Sequence, residues 1–116
     1  MTEQVKVIVG RHAQDIANTF LDAWERAERQ EVVRQRVLSF ESWEGLASVM
    51  TGERYRLLRH LHAHPEPSVS ALARALGRQY RRVHADVAIL ESAGLVERAD
   101  SEVRATADLI QAEIRL

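Results

Sequence analysis

The stretch GRQYRRVHADVAIL, residues 77–90, sets Arg78, Arg81 and Arg82 among Gln79, Tyr80 and His84, and then turns apolar. An arginine fork can hold a phosphate, or the O6 and N7 of guanine, through two parallel hydrogen bonds. Glutamine can pair with adenine, and a tyrosine hydroxyl or an imidazole N–H can reach a backbone oxygen. Wound as a helix at 100° per residue, the stretch keeps Val87 and Leu90 within roughly 40° of Val83, while Arg78, Arg81, Arg82 and Ala85 gather at roughly 160° to 260° from it. The arginines are therefore expected to leave the core together, with the small Ala85 among them allowing close approach to a groove floor. A merely solvated helix face interleaves both signs at i,i+4, whereas this one has no acid before Asp86. The chemistry this predicts is recognition of a polyanion, double-stranded DNA first.

Arg98 and Arg104 can reach a phosphate or the minor groove, although Asp100 and Glu102 between them oppose deep insertion. Arg54, Arg56 and Arg59 either follow a DNA backbone or solvate an outer face. His60, His62 and His64 form an H-x-H-x-H run in which His60 and His64 share a helical face. No cysteine or carboxylate cluster completes a tetrahedral set around them, so no metal site is expected. The absence of cysteine also excludes disulfides and thiolate nucleophiles. No nucleophile elbow, phosphate loop or paired-carboxylate motif is present, so neither catalysis nor a cofactor is expected.

A chain of 116 residues suits one hydrophobic core with an appended element. The formal net charge of -1 would by itself argue against a nucleic-acid partner. Its distribution reverses that inference, because residues 54–85 carry seven arginines and one glutamate while both flanking stretches are acidic in balance. The opening MTEQVKVIVGRH holds an apolar core too short for a secretion signal, and no window approaches a membrane span. A cytoplasmic protein without a membrane partner is the expectation.

The elements that must position these residues follow from periodicity. VKVIV, residues 5–9, predicts a strand. Ile16, Phe20, Ala23, Trp24 and Ala27 predict an amphipathic helix to about Gln30, and VVRQRVLSF, residues 32–40, predicts a second strand whose apolar face is poorly defined. Ser42 can cap a short helix carrying Trp43, Leu46, Ala47 and Met50 on one side. Thr51 is the expected cap of the next helix, with Tyr55, Leu57, Leu58 and Leu61 inward, and the helix should stop before HPEP. Ser70 is the expected cap of a helix with Leu72, Ala73 and Leu76 inward, ending at a left-handed Gly77. A longer helix then runs from about Gln79 to Ser92, and LVERADSEVRA predicts a hairpin. IQAEIRL alternates as a strand does, and a helix starting after Thr106 is the other reading. The large apolar Phe20, Trp24 and Trp43 suit either a core or an interface.

The order of elements from Thr51 is that of a winged helix-turn-helix. SVSALARALGRQYRRVHADVAILESAGLVER, residues 68–98, resembles the winged helix-turn-helix of MarR and ArsR type regulators. With its VKVIVG-like opening strand, LSFES, RYRLLRHL and closing AEIRL, the chain also resembles a group of short prokaryotic DNA-binding proteins similar to TumA-type antitoxins of type II toxin-antitoxin modules. The resemblance implies a repressor of its own operon that also neutralises a cognate toxin, with Arg78 to Arg82, His84 and Ala85 facing DNA. The expected architecture is α+β, with three segments. Residues 1–50 form a strand-helix-strand-helix extension for a dimer or partner interface, 51–106 the winged helix-turn-helix, and 107–116 a terminal strand. The terminal strands can pair with each other or offer an edge to a second chain. A homodimer is the economical assembly, since a two-fold axis places two reading helices about 34 Å apart along a duplex.

Overall fold

The computed structural model describes residues 3–27 and 34–116. Their elements are β1 Glu3–Val9, α1 Ala13–Ala27, β2 Arg34–Phe40, α2 Trp43–Val49, α3 Gly52–Ala63, α4 Val69–Leu76, α5 Tyr80–Ser92, β3 Val96–Ala99, β4 Glu102–Ala105 and β5 Leu109–Ile114. The architecture is α+β and divides into two compact units, one of Met1–Ser48 with Ala107–Leu116 and one of Val49–Thr106. The closing strand, read from the sequence as a segment of its own, thus belongs with the first unit. The ends expected for the first helix at residues 28–30 and for the second strand at 32–33 lie outside the described residues, as do the side chains of Phe20 and Trp24.

In the first unit β1 lies between β2 and β5 in a parallel sheet of order β2-β1-β5. A central parallel strand is covered on both faces, which is why Val5, Val7, Ile8 and Val9 form a nearly unbroken apolar run and are all buried. Ile8 packs with Ala13, Ala17, Ile16 and Val37 on the side of α1. Leu38 and Phe40 stand opposite Val7 and Val9 in the register, so β2 places apolar groups on both faces. Its sequence could show no clean alternation for that reason. The terminal strands do pair, and 107–116 holds a strand rather than a helix. On β5, Glu113 is held below the ordinary carboxylate range, chiefly by a 2.7 Å hydrogen bond from Arg115 Nε, against the opposing effect of burial. Lys6 Nζ lies 3.6 Å away. Trp43, Leu46, Ala47 and Met50 were expected on one side of α2, with Trp43 suited to a core or an interface; no residue of this two-turn helix is buried, and Trp43, 56% exposed, is not a core residue. Ser42 does cap it, its hydroxyl accepting from Gly45 N–H at 3.1 Å.

In the second unit three helices and a hairpin close over Leu57, Leu61, Leu72, Val83, Val87 and Leu90, each at most 1% exposed. Thr51 caps α3 as expected, accepting from Arg54 N–H at 3.2 Å. Tyr55 is not inward but 53% exposed. Leu57, Leu58 and Leu61 set the centre of the buried face, and Tyr55 lies roughly 120° from it on the helical wheel. The cap of α4 is Ser68, not Ser70: its hydroxyl accepts from Ala71 N–H at 3.0 Å. The chain fixes that choice just upstream, where Glu66 bridges Val103 through two backbone hydrogen bonds of 3.0 and 2.7 Å and so adds a third, one-residue rung to the β3-β4 hairpin. Asp100 and Ser101 at the hairpin tip have φ of 54° and 59°, the two positive values a type I′ turn requires.

Gly77 closes α4 with φ 65° and ψ 33°, its N–H returned to the carbonyls of Ala73 and Arg74. A Cβ there would meet nothing within 4 Å, so only the left-handed conformation resists a side chain. Gly77→Ala is accordingly expected to cost about 1 kcal/mol and Gly77→Asn less. The midpoints of denaturant unfolding check both, and a neutral Gly77→Ala would contradict the assigned turn.

Candidate nucleic-acid interface

The site begins at the turn. Gly77 sends the chain out of α4, and Gln79 takes an extended conformation, φ -64° and ψ 134°, at the N-cap of α5 without capping it through its side chain. Helical geometry therefore starts only at Tyr80. Val83, Val87 and Leu90 anchor the helix beneath at 0% exposure, and the opposite side carries Arg81, Arg82 and Ala85, all exposed. Ile89, 37% exposed, continues that face one turn on. Among the described residues neither Arg81 nor Arg82 has an ion-pair partner, so both guanidinium groups present their full set of donors to solvent. Tyr80 is 52% exposed and its ring centroid lies 5.7 Å from that of His84, also exposed, forming an aromatic shoulder beside the arginines.

Arg78 does not join them. Its Nη2 donates to Asp86 Oδ2 at 2.8 Å and its Nε lies 3.1 Å from Glu53 Oε2, with the side chain only 20% exposed. The wheel failed here because Arg78 precedes the helix, and a residue in the turn does not follow the 100° rule. Asp86 and Glu53 are the residues that sequence reasoning missed. Asp86 is 9% exposed and also accepts from Arg54 Nε at 3.0 Å, while Arg54 Nη1 reaches the Val49 carbonyl at 3.1 Å. The signal was present, since Asp86 lies roughly 60° from Val83 on the wheel, at the edge of the buried side. One carboxylate thus binds the start of α3 to the turn before α5 and to α5 itself.

The remaining candidates divide in the same way. Arg98 Nε lies 3.4 Å from Glu91 Oε1. Arg104 donates to Glu97 at 2.6 Å and to Glu102 at 3.3 Å, and the bond to Glu97 chiefly holds its guanidinium above an already high pKa. The hairpin therefore spends much of its positive charge internally. An open cleft of about 440 Å³ runs from Ser68 and Ser70 past Tyr80 to Arg98 and the hairpin tip. Of the other arginines, Arg56 pairs with Glu53 at 2.9 Å, and the Arg59 guanidinium stands 5.8 Å from the Tyr55 ring centroid. His60 Nε2 lies 2.5 Å from Glu66 Oε2, clamping α3 to the one-residue rung. Among the described residues no group of three or more histidines and carboxylates is placed to hold a metal.

Among the described residues no helix is long and apolar enough to cross a membrane. No curated protein and no solved structure matches the chain. One family model, HVO_A0114, matches residues 49–112, covering α3 through β4 and the start of β5. Since the match spans more than half of the 116 residues, the chain belongs to the HVO_A0114 family.

Proposed function

We propose that residues 51–106 form a winged helix-turn-helix in which α5 enters the major groove of double-stranded DNA, and that the protein is a cytoplasmic, sequence-specific repressor. In this reading it acts as a homodimer and as the antitoxin of a module whose operon it autoregulates. The observation that carries the reading is the outward face of α5, where Arg81 and Arg82 stand exposed and unpaired around the small Ala85. Two cations so placed can take phosphates or guanine edges without breaking an internal bond. The wing is a minor contributor, because Arg98 and Arg104 are already occupied by glutamates. That same occupation favours a second reading, a module that neutralises a toxin or other partner with little affinity for DNA.

The experiment is a mobility-shift titration of the upstream promoter fragment at several salt concentrations. The expected result is a shift whose logarithmic affinity falls linearly with the logarithm of salt, by about 0.9 per phosphate contacted. Co-purification with the product of the neighbouring gene and no shift at low salt would overturn DNA binding in favour of the second reading.

A further inference from the structure

The sheet of the first unit ends on β5, and β5 is unlike an ordinary edge. Among the described residues it pairs along one side only, with β1. Leu109, Ile110 and Ile114 are 42%, 39% and 50% exposed, which makes this one strand the richest source of exposed large apolar side chains among the described residues. Proteins protect open edges with lysine, proline, bulges or inward-pointing charge, and the row Ile110, Ala112 and Ile114 carries none of these. The opposite edge, β2, carries the exposed Arg36.

Backbone parity sharpens the observation. Arg115 N–H donates to the Val9 carbonyl at 2.9 Å, so odd-numbered residues of β5 turn their peptide groups towards β1. The N–H and C=O groups of Ile110, Ala112 and Ile114 therefore point out from the free edge. These are the same residues whose side chains form the apolar row.

We propose that β5 pairs antiparallel with β5 of a second copy about a two-fold axis through Ala112, joining the two three-stranded sheets into one six-stranded sheet. The proposal deepens the dimer of the functional reading, on which it rests. The register is self-complementary in three independent respects. Ala112 meets the partner's Ala112, and Ile110 meets the partner's Ile114, so all the outward-turned residues fall in hydrogen-bonded pairs. The axis runs perpendicular to the sheet, so both α1 helices stay on one face and the isoleucine rows meet on the other. On the α1 side Gln111 faces the partner's Glu113, an amide donor against a carboxylate, and Arg115 faces the partner's Leu109. The two Glu113 carboxylates become diagonal neighbours, each already neutralised by its own Arg115 and Lys6. No like charges stand directly opposite.

Light scattering on the eluting full chain, without DNA, tests this. Wild type is expected at twice the monomer mass and Ile110→Lys/Ile114→Lys at the monomer mass. Both isoleucines are exposed, and an unchanged circular dichroism spectrum would show that the variant folds. A second measurement uses the absence of cysteine from the sequence. Ala112→Cys should be linked to itself by a short bismaleimide far faster than the exposed control Ser92→Cys. A monomeric wild type, a double variant that stays dimeric, or equal linking rates would each overturn the interface. A cross-link between β5 and a different co-purified protein, with the chain itself monomeric, would overturn it as well. None of these readouts involves DNA, so a dimer that fails to shift the promoter would condemn the functional reading and leave the interface standing.

Discussion

Arg81→Ala and Arg82→Ala are each expected to weaken binding of the upstream promoter fragment by about tenfold or more, with the unfolding midpoint unchanged. The magnitude follows from the value of a charge-assisted or bidentate contact to DNA, about 1–3 kcal/mol, where about 1.4 kcal/mol is a factor of ten. The fold should survive because both side chains are exposed and neither has an internal ion-pair partner to lose. Salt separates the two roles an arginine can play. A variant that has lost a phosphate contact lowers the slope of log affinity against log salt by about one, whereas loss of a base contact keeps the slope and relaxes sequence preference at one position. Arg78→Ala is the internal control: its guanidinium is engaged by Asp86 and Glu53, so its replacement should act on stability first and leave the salt slope alone. If Arg81→Ala and Arg82→Ala bind like wild type, α5 is not the reading surface.

The contrast between Arg81 and Arg78 also shows what the sequence could and could not reveal. Within α5 a single rule, 100° per residue, places Val83, Val87 and Leu90 inside and Arg81, Arg82 and Ala85 outside, and the structure agrees at every one of these positions. Thr51 and Gly77 were legible because caps and left-handed turns depend on the chemistry of one residue. Arg78 was illegible because its direction depends on the extended Gln79 beside it and on Glu53 and Asp86, which are distant in sequence. The misplaced α4 cap has a similar origin. Ser68 and Ser70 are equivalent as hydroxyls, and the choice between them is made by the rung between Glu66 and Val103, a pairing too short to leave any alternation. Tyr55 was misread for another reason: three leucines already fill the inward face of α3 and leave the ring at its margin. In the first unit the central strand announced itself through its apolar run. The parallel partnership of β1 with a strand a hundred residues away could be offered only as one option, since nothing local specifies it.

Asp86→Ala should be the most damaging single substitution among the charged residues, lowering stability by about 3 kcal/mol or more. Removing one member of a buried ionic network leaves the others desolvated and less well compensated, and here two guanidinium groups would face each other across the vacated position, Arg78 keeping Glu53 and Arg54 the Val49 carbonyl. Arg54 and Arg78 have side chains only 14% and 20% exposed, so water can reach neither freely. Arg78 Nη1 is already buried without a hydrogen-bond partner, which leaves that group little further tolerance. Arg78→Met should cost less, because Asp86 keeps Arg54 and the methionine can fill part of the space. In the Arg78→Met background Asp86→Ala should then cost clearly less than in wild type, the non-additivity expected of side chains that share one network. Denaturant unfolding of the four proteins in this cycle measures it. Additive losses, or an Asp86→Ala protein as stable as wild type, would show that the carboxylate does not hold the turn. Because the network joins α3 to the segment that launches α5, its loss should also reduce promoter binding through displaced Arg81 and Arg82. That reduction would appear without any change at the contacting residues.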